Sequence, residues 1–340
     1  MMYNYIVKWD CSQKNQGKSG DTVLSKVKTV TNQKTKRRMS KGKIKYNAEL
    51  WGMAAIPLIW FIIFCYIPMV GILIAFKDYN YRLGIFASEW VGLKNFEFFL
   101  RSNDALIVTR NTIFLNLLFT AVCTVCALLL AVLLYNLRSR MKTKIFQTIY
   151  ITPNFVSMVV VAYIVYSILN PQYGVANQII RALGGKGVEW YAEPKYWPGI
   201  LAVVNVWKGI GMSSVIYYSA LMGIDESLFE AAKVDGANKF RLTVNVMIPS
   251  ILPIIVIYLI LSVGNIFRGD FGLFYLVTQD SALLYDVTDV VDTYVYRTLM
   301  ESNNTSLSAA IGLLQSVVGC VLVLITNWIA NRVDKDLGLI

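Results

Sequence analysis

Between two of the most apolar stretches of this 340-residue chain lies "EAAKVDGANKFRLTVNVMIP", Glu230–Pro249. Its charges recur at regular spacing, Gly236 sits in its middle, and Pro249 stands where the next apolar run begins. Asp225 is placed to cap a helix that starts at Glu226, and Glu226 near that end suits the helix dipole. Gly236 can take the left-handed turn that ends it. A second helix is expected from about Asn238 to Pro249. The first helix has only about ten residues, and isolated helices under roughly 12–15 residues are marginal in water. Something must therefore pack on Leu228, Ala231, Ala232 and Val234. A partner with a groove and the membrane surface both answer, and the residues alone leave both open.

The rest of the chain says what the stretch is attached to. It is 56% hydrophobic and 16% charged, with mean hydropathy +0.52, whereas soluble domains hold about a quarter charged residues. Crossing roughly 30 Å of hydrocarbon takes about 20 mostly apolar residues. Runs of that kind predict spans at about 50–76, 111–135, 145–169, 196–224, 250–267 and 306–329. Lys208 weakens the fourth. A central Lys costs about 2.5–3.5 kcal/mol while each Leu, Ile, Val or Phe returns about 0.3–0.6, so the apolar neighbours offset it. Continuous runs exclude a β-barrel. The expected fold is an all-α polytopic membrane protein with six transmembrane helices over residues 50–340.

Charge sets direction. The segments 1–49, 136–144, 222–249 and 330–340 hold 21 Lys and Arg, against 10 in 77–110, 170–195 and 268–305. Lys and Arg mark the cytoplasmic side. Both termini, and the quoted stretch between the fourth and fifth spans, are expected inside. Residues 1–49 read as a basic, disordered cytoplasmic tail. Its run "KTKRRMSKGKIK" serves as a topology signal or touches anionic lipid. No secretory signal is expected in these 49 residues, which are polar and basic without an apolar core of 7–15 residues.

Little else reads as chemistry. Cys11, Cys65, Cys123, Cys126 and Cys320 are scattered, and with no histidine in the chain Cys123-x-x-Cys126 reads as small residues of a span. "GKS" at Gly17–Ser19 lacks the first glycine of a phosphate-binding loop. No nucleophile, base or metal set stands out. Asp289 and Asp292 are expected in an external loop without a positioned partner, as a solvated surface or one that faces a binding protein.

Glu230-Ala231-Ala232, Gly236 and Val246-Met247-Ile248-Pro249 resemble the "EAA…G…I-LP" loop of the inner-membrane permeases of binding-protein-dependent ABC importers. "WVGLKNFEFF" (Trp90–Phe99), "VWKGIGMSSVIYYSALMGIDESLFEAA" (Val206–Ala232), "GNIFRGDFGLFYLV" (Gly264–Val277) and "DVVDTYVYR" (Asp289–Arg297) resemble the carbohydrate permeases of the maltose-transporter class, and its lipoprotein/polysaccharide-type branch above all. The likeness covers about residues 45–340. It implies that the quoted stretch is a coupling helix docked in an ATPase cleft. Glu230 would face a basic group there, Ala231 and Ala232 would allow close packing, and Asp235, Gly236 and Pro249 belong to the same motif. It further implies a second permease, two cytoplasmic ATPase subunits that hold MgATP, an extracellular or periplasmic solute-binding protein and a bacterial cytoplasmic membrane. This chain would bind no cofactor, metal or nucleic acid and would itself be no enzyme. Met212-Ser213 stands where many relatives carry Trp-Asn.

Polar groups inside spans are costly, which makes them candidates for the solute pathway. Asn205, Lys208, Tyr217, Asn265 and Gln315 form that set, with Asn154, Tyr163, Tyr166 and Tyr218 beside them. Amides and aromatic faces suit an oligosaccharide. Each also has a plainer reading: helix–helix glue for the amides, interface anchors for the tyrosines, a snorkelling or structural charge for Lys208. The rivals are an importer for a non-sugar solute, and an ATP-independent channel or secondary transporter. The second would favour acidic residues within spans, and the predicted spans hold none.

Overall fold

The computed structural model describes residues 41–137 and 139–333. The expectations for residues 1–40 lie outside them. The chain divides into two compact units, Met1–Ile67 and Pro68–Ile340.

The described part of the first unit is helix α1, Lys41–Phe61, which continues through a wider turn at Ile62–Tyr66. Pro57 lies within it, and the Trp60 and Phe64 rings meet at 5.3 Å. Its apolar side chains are exposed, as in Trp51, Ile56 and Ile59, which is the surface a lipid-facing helix presents.

The second unit is built on two long helices packed along their length, α2 (Asn103–Tyr135) and α5 (Trp197–Met222). α2 starts eight residues before the apolar run because Ser102 caps it, its hydroxyl accepting from the Ala105 amide at 3.1 Å. That first turn is polar and hydropathy passes over it. Helix α9, Thr305–Val333, packs on α7 (Leu252–Gly264) and α8 (Val291–Met300).

Among the described residues four helices are long and apolar enough to cross a membrane, Glu49–Phe76, Asn103–Tyr135, Pro194–Met222 and Thr305–Ile329, and there are up to six crossings if each of two bent pairs counts as one. The run 145–169 is one of those pairs and not a straight helix. α3 (Arg140–Ile151) ends in a tight turn at Thr152–Phe155, and α4 (Met158–Leu169) departs at 96°. Pro153 stands at the start of that turn, Val156 and Ser157 are extended, and the Ser157 hydroxyl caps α4. The run 250–267 also differs from its expectation. α7 has 13 residues, about 20 Å at 1.5 Å per residue, too short to cross alone. Before it, Lys239–Ser250 is helical, as expected of the second helix of the quoted stretch, with one wide turn at Thr243–Met247, and it meets α7 at 60°.

The core has two main parts. One joins α2, α4 and α5 to the turn Gly272–Val277, whose Leu273, Phe274 and Val277 are buried. The other joins Ala127 and Ala131 of α2, Tyr217 and Leu221 of α5, and Phe229, Met247, Ile251 and Ile255. A two-residue antiparallel pairing, Lys77–Asp78 with Glu89–Trp90, closes the loop before α2.

Candidate functional site: the coupling stretch and the polar groups of the spans

Helix α6 spans Glu226–Val234 and is closed at both ends. The Asp225 carboxylate accepts from the Ser227 amide at 3.0 Å. Donation from the Ser227 backbone and side chain holds its carboxyl below the usual range. At the other end the Ala237 amide donates to the Ala232 carbonyl at 2.9 Å and the Gly236 amide to Lys233 at 3.0 Å. Gly236 has φ +78°. This is the paired-bond ending in which a glycine turns left-handed. Asp235 is the last residue before that turn, and Pro249 lies in the turn Ile248–Ser250 ahead of α7.

One side chain anchors α6. Phe229 is 4% exposed and stacks on Tyr135 at the end of α2, ring centroids 5.6 Å apart. The rest of the helix faces outward. Glu230 and Ala231 are exposed, Ala232 is half-buried, and Leu228, Val234 and Phe240 are 50%, 87% and 75% exposed. Glu230, Lys233, Lys239 and Arg241 make no ion pair among the described residues. Capped at both ends, anchored by Phe229 and touching the segment 239–247, α6 stands out as a knob with one face uncovered.

The five polar pathway candidates do not share one partner or one place. The Lys208 ammonium donates to the carbonyls of Asn154 (3.1 Å) and Val156 (2.7 Å), where α3 gives way to α4. Two turns of chemistry meet there, because a β-carbon on Gly211, three residues on, would lie 1.9 Å from the Tyr150 carbonyl oxygen. Only glycine admits that crossing. Asn205, three residues before Lys208, is half-buried. Gln315 of α9 donates to the Phe267 carbonyl and to Asp292 at 3.0 Å. Asn265 is exposed and bonds back to Leu261 at 3.1 Å. Tyr217 is fully buried with its hydroxyl unpartnered among the described residues. Tyr163 is exposed, and Tyr166 meets Tyr191 edge-on at 5.7 Å.

The loop of Asp289 and Asp292 corrects the expectation of solvated carboxylates. Asp289 is 6% exposed, is paired with Arg297, and accepts from the Thr293 hydroxyl at 2.6 Å. Arg297 also reaches Asp280 at 3.4 Å and lies 3.8 Å from the Tyr285 ring centroid. Asp292 accepts from the Gly269 amide at 2.6 Å as well as from Gln315. Burial pushes the Asp289 carboxyl up, against the pull of Arg297 and Thr293. Burial and the bond to Asp280 push the Tyr285 hydroxyl up to about 12. A polar cavity of about 420 Å³ opens between Asp104, Asp286, Asp289, Tyr294 and Arg297.

Two residues of α2 that hold this loop went unread in the sequence. Asn111 donates to the carbonyls of Asp286 and Asp289, both at 3.1 Å, and Asn116 to that of Ile266 at 2.8 Å. The signal was present: both are amides within an apolar run, the criterion that selected Asn205 and Gln315. On the same helix Cys123 and Cys126 are free thiols.

Residues 123–337 match the family described as "Binding-protein-dependent transport system inner membrane component". Protein LplB of Bacillus subtilis is 35% identical over 279 residues, 82% of this chain and 87% of that protein. The polygalacturonan/rhamnogalacturonan transport system permease YteP of the same organism is 32% identical over 319 residues, 94% and 99% of the two chains. Among solved structures, a chain of a bacterial alginate ABC transporter in complex with an alginate pentasaccharide-bound periplasmic protein is 31% identical, with TM-score 0.77 over 86% of this chain and 98% of that one.

Proposed function

The chain belongs to the binding-protein-dependent transport-system inner-membrane components, and from that premise we propose that it is one permease of a sugar ABC importer. It forms half of a pore that carries an oligosaccharide or polysaccharide fragment, above all an acidic one, into the cell. The relatives named for polygalacturonan, rhamnogalacturonan and alginate support that substrate class. In this reading residues 50–340 are the permease domain and 1–49 a cytoplasmic tail. Each bent pair counts as one crossing, which makes six, with both termini and α6 in the cytoplasm. The excess of 21 over 10 Lys and Arg supports that direction.

The observation that carries the proposal is the exposed face of α6. Glu230, Ala231, Leu228 and Val234 sit on a capped helix whose only deep anchor is Phe229. A separate ATPase subunit takes that face into a cleft, and MgATP is bound and hydrolysed there. Closure of an ATPase pair pushes α6, and Phe229 passes the motion to the ends of α2 and α5. A second permease completes the pore, and a solute-binding protein delivers the sugar from outside. Asn205, Lys208, Tyr217, Asn265 and Gln315 are the residues to examine for solute contact or for the packing that shapes the pore.

The test is substitution in α6 with the assembled importer purified through this chain. Glu230→Lys sets like charges together in a desolvated cleft, which costs several kcal/mol. Gly236→Val forces a β-branched residue into a left-handed turn. Both variants should insert normally, recover far less ATPase and lose hydrolysis stimulated by binding protein loaded with oligogalacturonate. Lys239→Glu, past the turn, should do much less. Full transport by Glu230→Lys with normal ATPase recovery would refute the proposal.

A further inference from the structure

The fully buried hydroxyl of Tyr217 has no hydrogen-bond partner among the described residues. Leaving a buried hydroxyl unpaired is expensive, because its desolvation is not recovered. Its surroundings are polar enough to do better. Thr124 of α2 lies beside it without bonding geometry. The Tyr258 ring of α7 stands edge-on to it, centroids 5.8 Å apart. The Tyr258 hydroxyl is instead 3.0 Å from the Ser213 hydroxyl.

Ser213 and Tyr217 are four residues apart on α5, hence stacked one turn apart on one face. Tyr258 touches both. We propose that Ser213 and Tyr217 are alternative seats for the Tyr258 hydroxyl, exchanged when α7 moves about one helical turn along α5 during transport. The exchange leaves nothing unpaired. A helical serine freed of Tyr258 can turn to a carbonyl of its own helix, as Ser262 does to Tyr258 at 2.9 Å and Ser167 to Tyr163 at 2.8 Å. Tyr217, in turn, gains the partner it lacks. One-turn steps of one packed element past another are a known form of switching, since close-packed surfaces are bistable.

The position fits such a switch. Tyr217, Phe229, Met247 and Ile251 belong to one buried cluster, with Tyr258 and Tyr135 packed on it. The cluster therefore runs without interruption from α6 to the Ser213–Tyr258 bond. Tyr217 acts as a positioning residue, favouring the alternative conformation in proportion to what its unpaired hydroxyl costs this one. The inference rests on the proposed function, in which α6 is driven by an ATPase.

The test is made on the importer assembled in lipid nanodiscs, with spin-labelled unnatural residues at Val203 of α5 and Leu261 of α7. Both positions are exposed. Distances between them are measured without nucleotide and with trapped ATP. Tyr217→Phe removes the unpaired hydroxyl and should enrich the conformation described here about tenfold, the weight of one buried unpaired hydroxyl. Its melting temperature should equal or exceed that of the parent. Ser213→Ala removes the first seat and should shift the populations the opposite way, by less. Unchanged populations in Tyr217→Phe, or shifts of the same sign in both variants, would overturn the switch. Failure of ATPase to assemble on every chain, the parent included, would instead overturn the proposed function and the switch with it.

Discussion

The loop 268–304 and the stretch 225–249 look alike in sequence: each is a polar insert, rich in carboxylates, between apolar runs. In the structure they are opposites. The loop turns four of its charges inward, with Asp289 and Asp280 on Arg297 and Asp292 on Gly269 and Gln315, and lays its carbonyls on Asn111, while Arg268, Asp270, Asp286 and Glu301 stay exposed. The stretch uses its polar side chains within itself, Asp225 on Ser227, Asn238 on Arg241 and Thr243 on the Lys239 carbonyl. Its remaining charges stand outward. Satisfied, desolvated charge fixes architecture. Hydrated charge on a capped, exposed helix fixes no architecture, and it is this face that the proposed function gives to an ATPase partner.

The contrast breaks most readily at Arg297. Arg297→Met leaves Asp289 buried without its cation, a loss of about 3–5 kcal/mol for a broken buried pair. Lys233→Met, on the exposed side of α6, should change stability by no more than about 0.5 kcal/mol. Thermal melting of the two purified variants decides the matter, and equal losses would erase the distinction between the regions.

Lys208 tests whether a charge inside the bundle behaves like the loop or like the stretch. Its ammonium caps the carbonyls of Asn154 and Val156, and bonds of that charged kind contribute about 1.5–3 kcal/mol. Lys208→Met should speed amide exchange over 156–161 and reduce uptake, with ATPase recovery intact. Slower uptake with unchanged exchange would assign the lysine to the solute instead of the break.

Much of this was legible in the residues. The length of continuous apolar runs located the spans, and Asp225 and Gly236 announced both ends of α6 because capping is local chemistry. The two bends were not legible. Hydropathy counts apolar residues and is blind to direction, so Pro153, Val156 and Ser157 passed inside a run that composition alone makes continuous. The partners of Asp289 were hidden for a different reason. Asn111 lies 178 residues away from it, and no spacing rule reaches that far. Lys208 shows both limits: its cost was readable, but its partners depend on a bend that was not.

The last and smallest effect sets the two regions against each other in their response to acid. The Asp225 carboxyl is held low by donation from Ser227. The unfolded chain therefore takes up its proton first, and the contribution of Asp225 to α6 is lost as pH falls through the folded value. Burial raises the Asp289 carboxyl, so the folded loop takes up its proton first. That contribution is present below the ordinary value, near 4, and fades as pH rises through the folded one. Between about pH 6 and pH 3, amide exchange corrected for its intrinsic pH dependence should quicken over 226–234 and slow over 289–297. Asp225→Asn keeps an oxygen that can cap α6 but no titrating group, so it should flatten the first trend and leave the second untouched. Parallel trends in the two segments would mean that acid loosens the whole unit together, and that the carboxylates of loop and stretch do not differ in the way their partners imply.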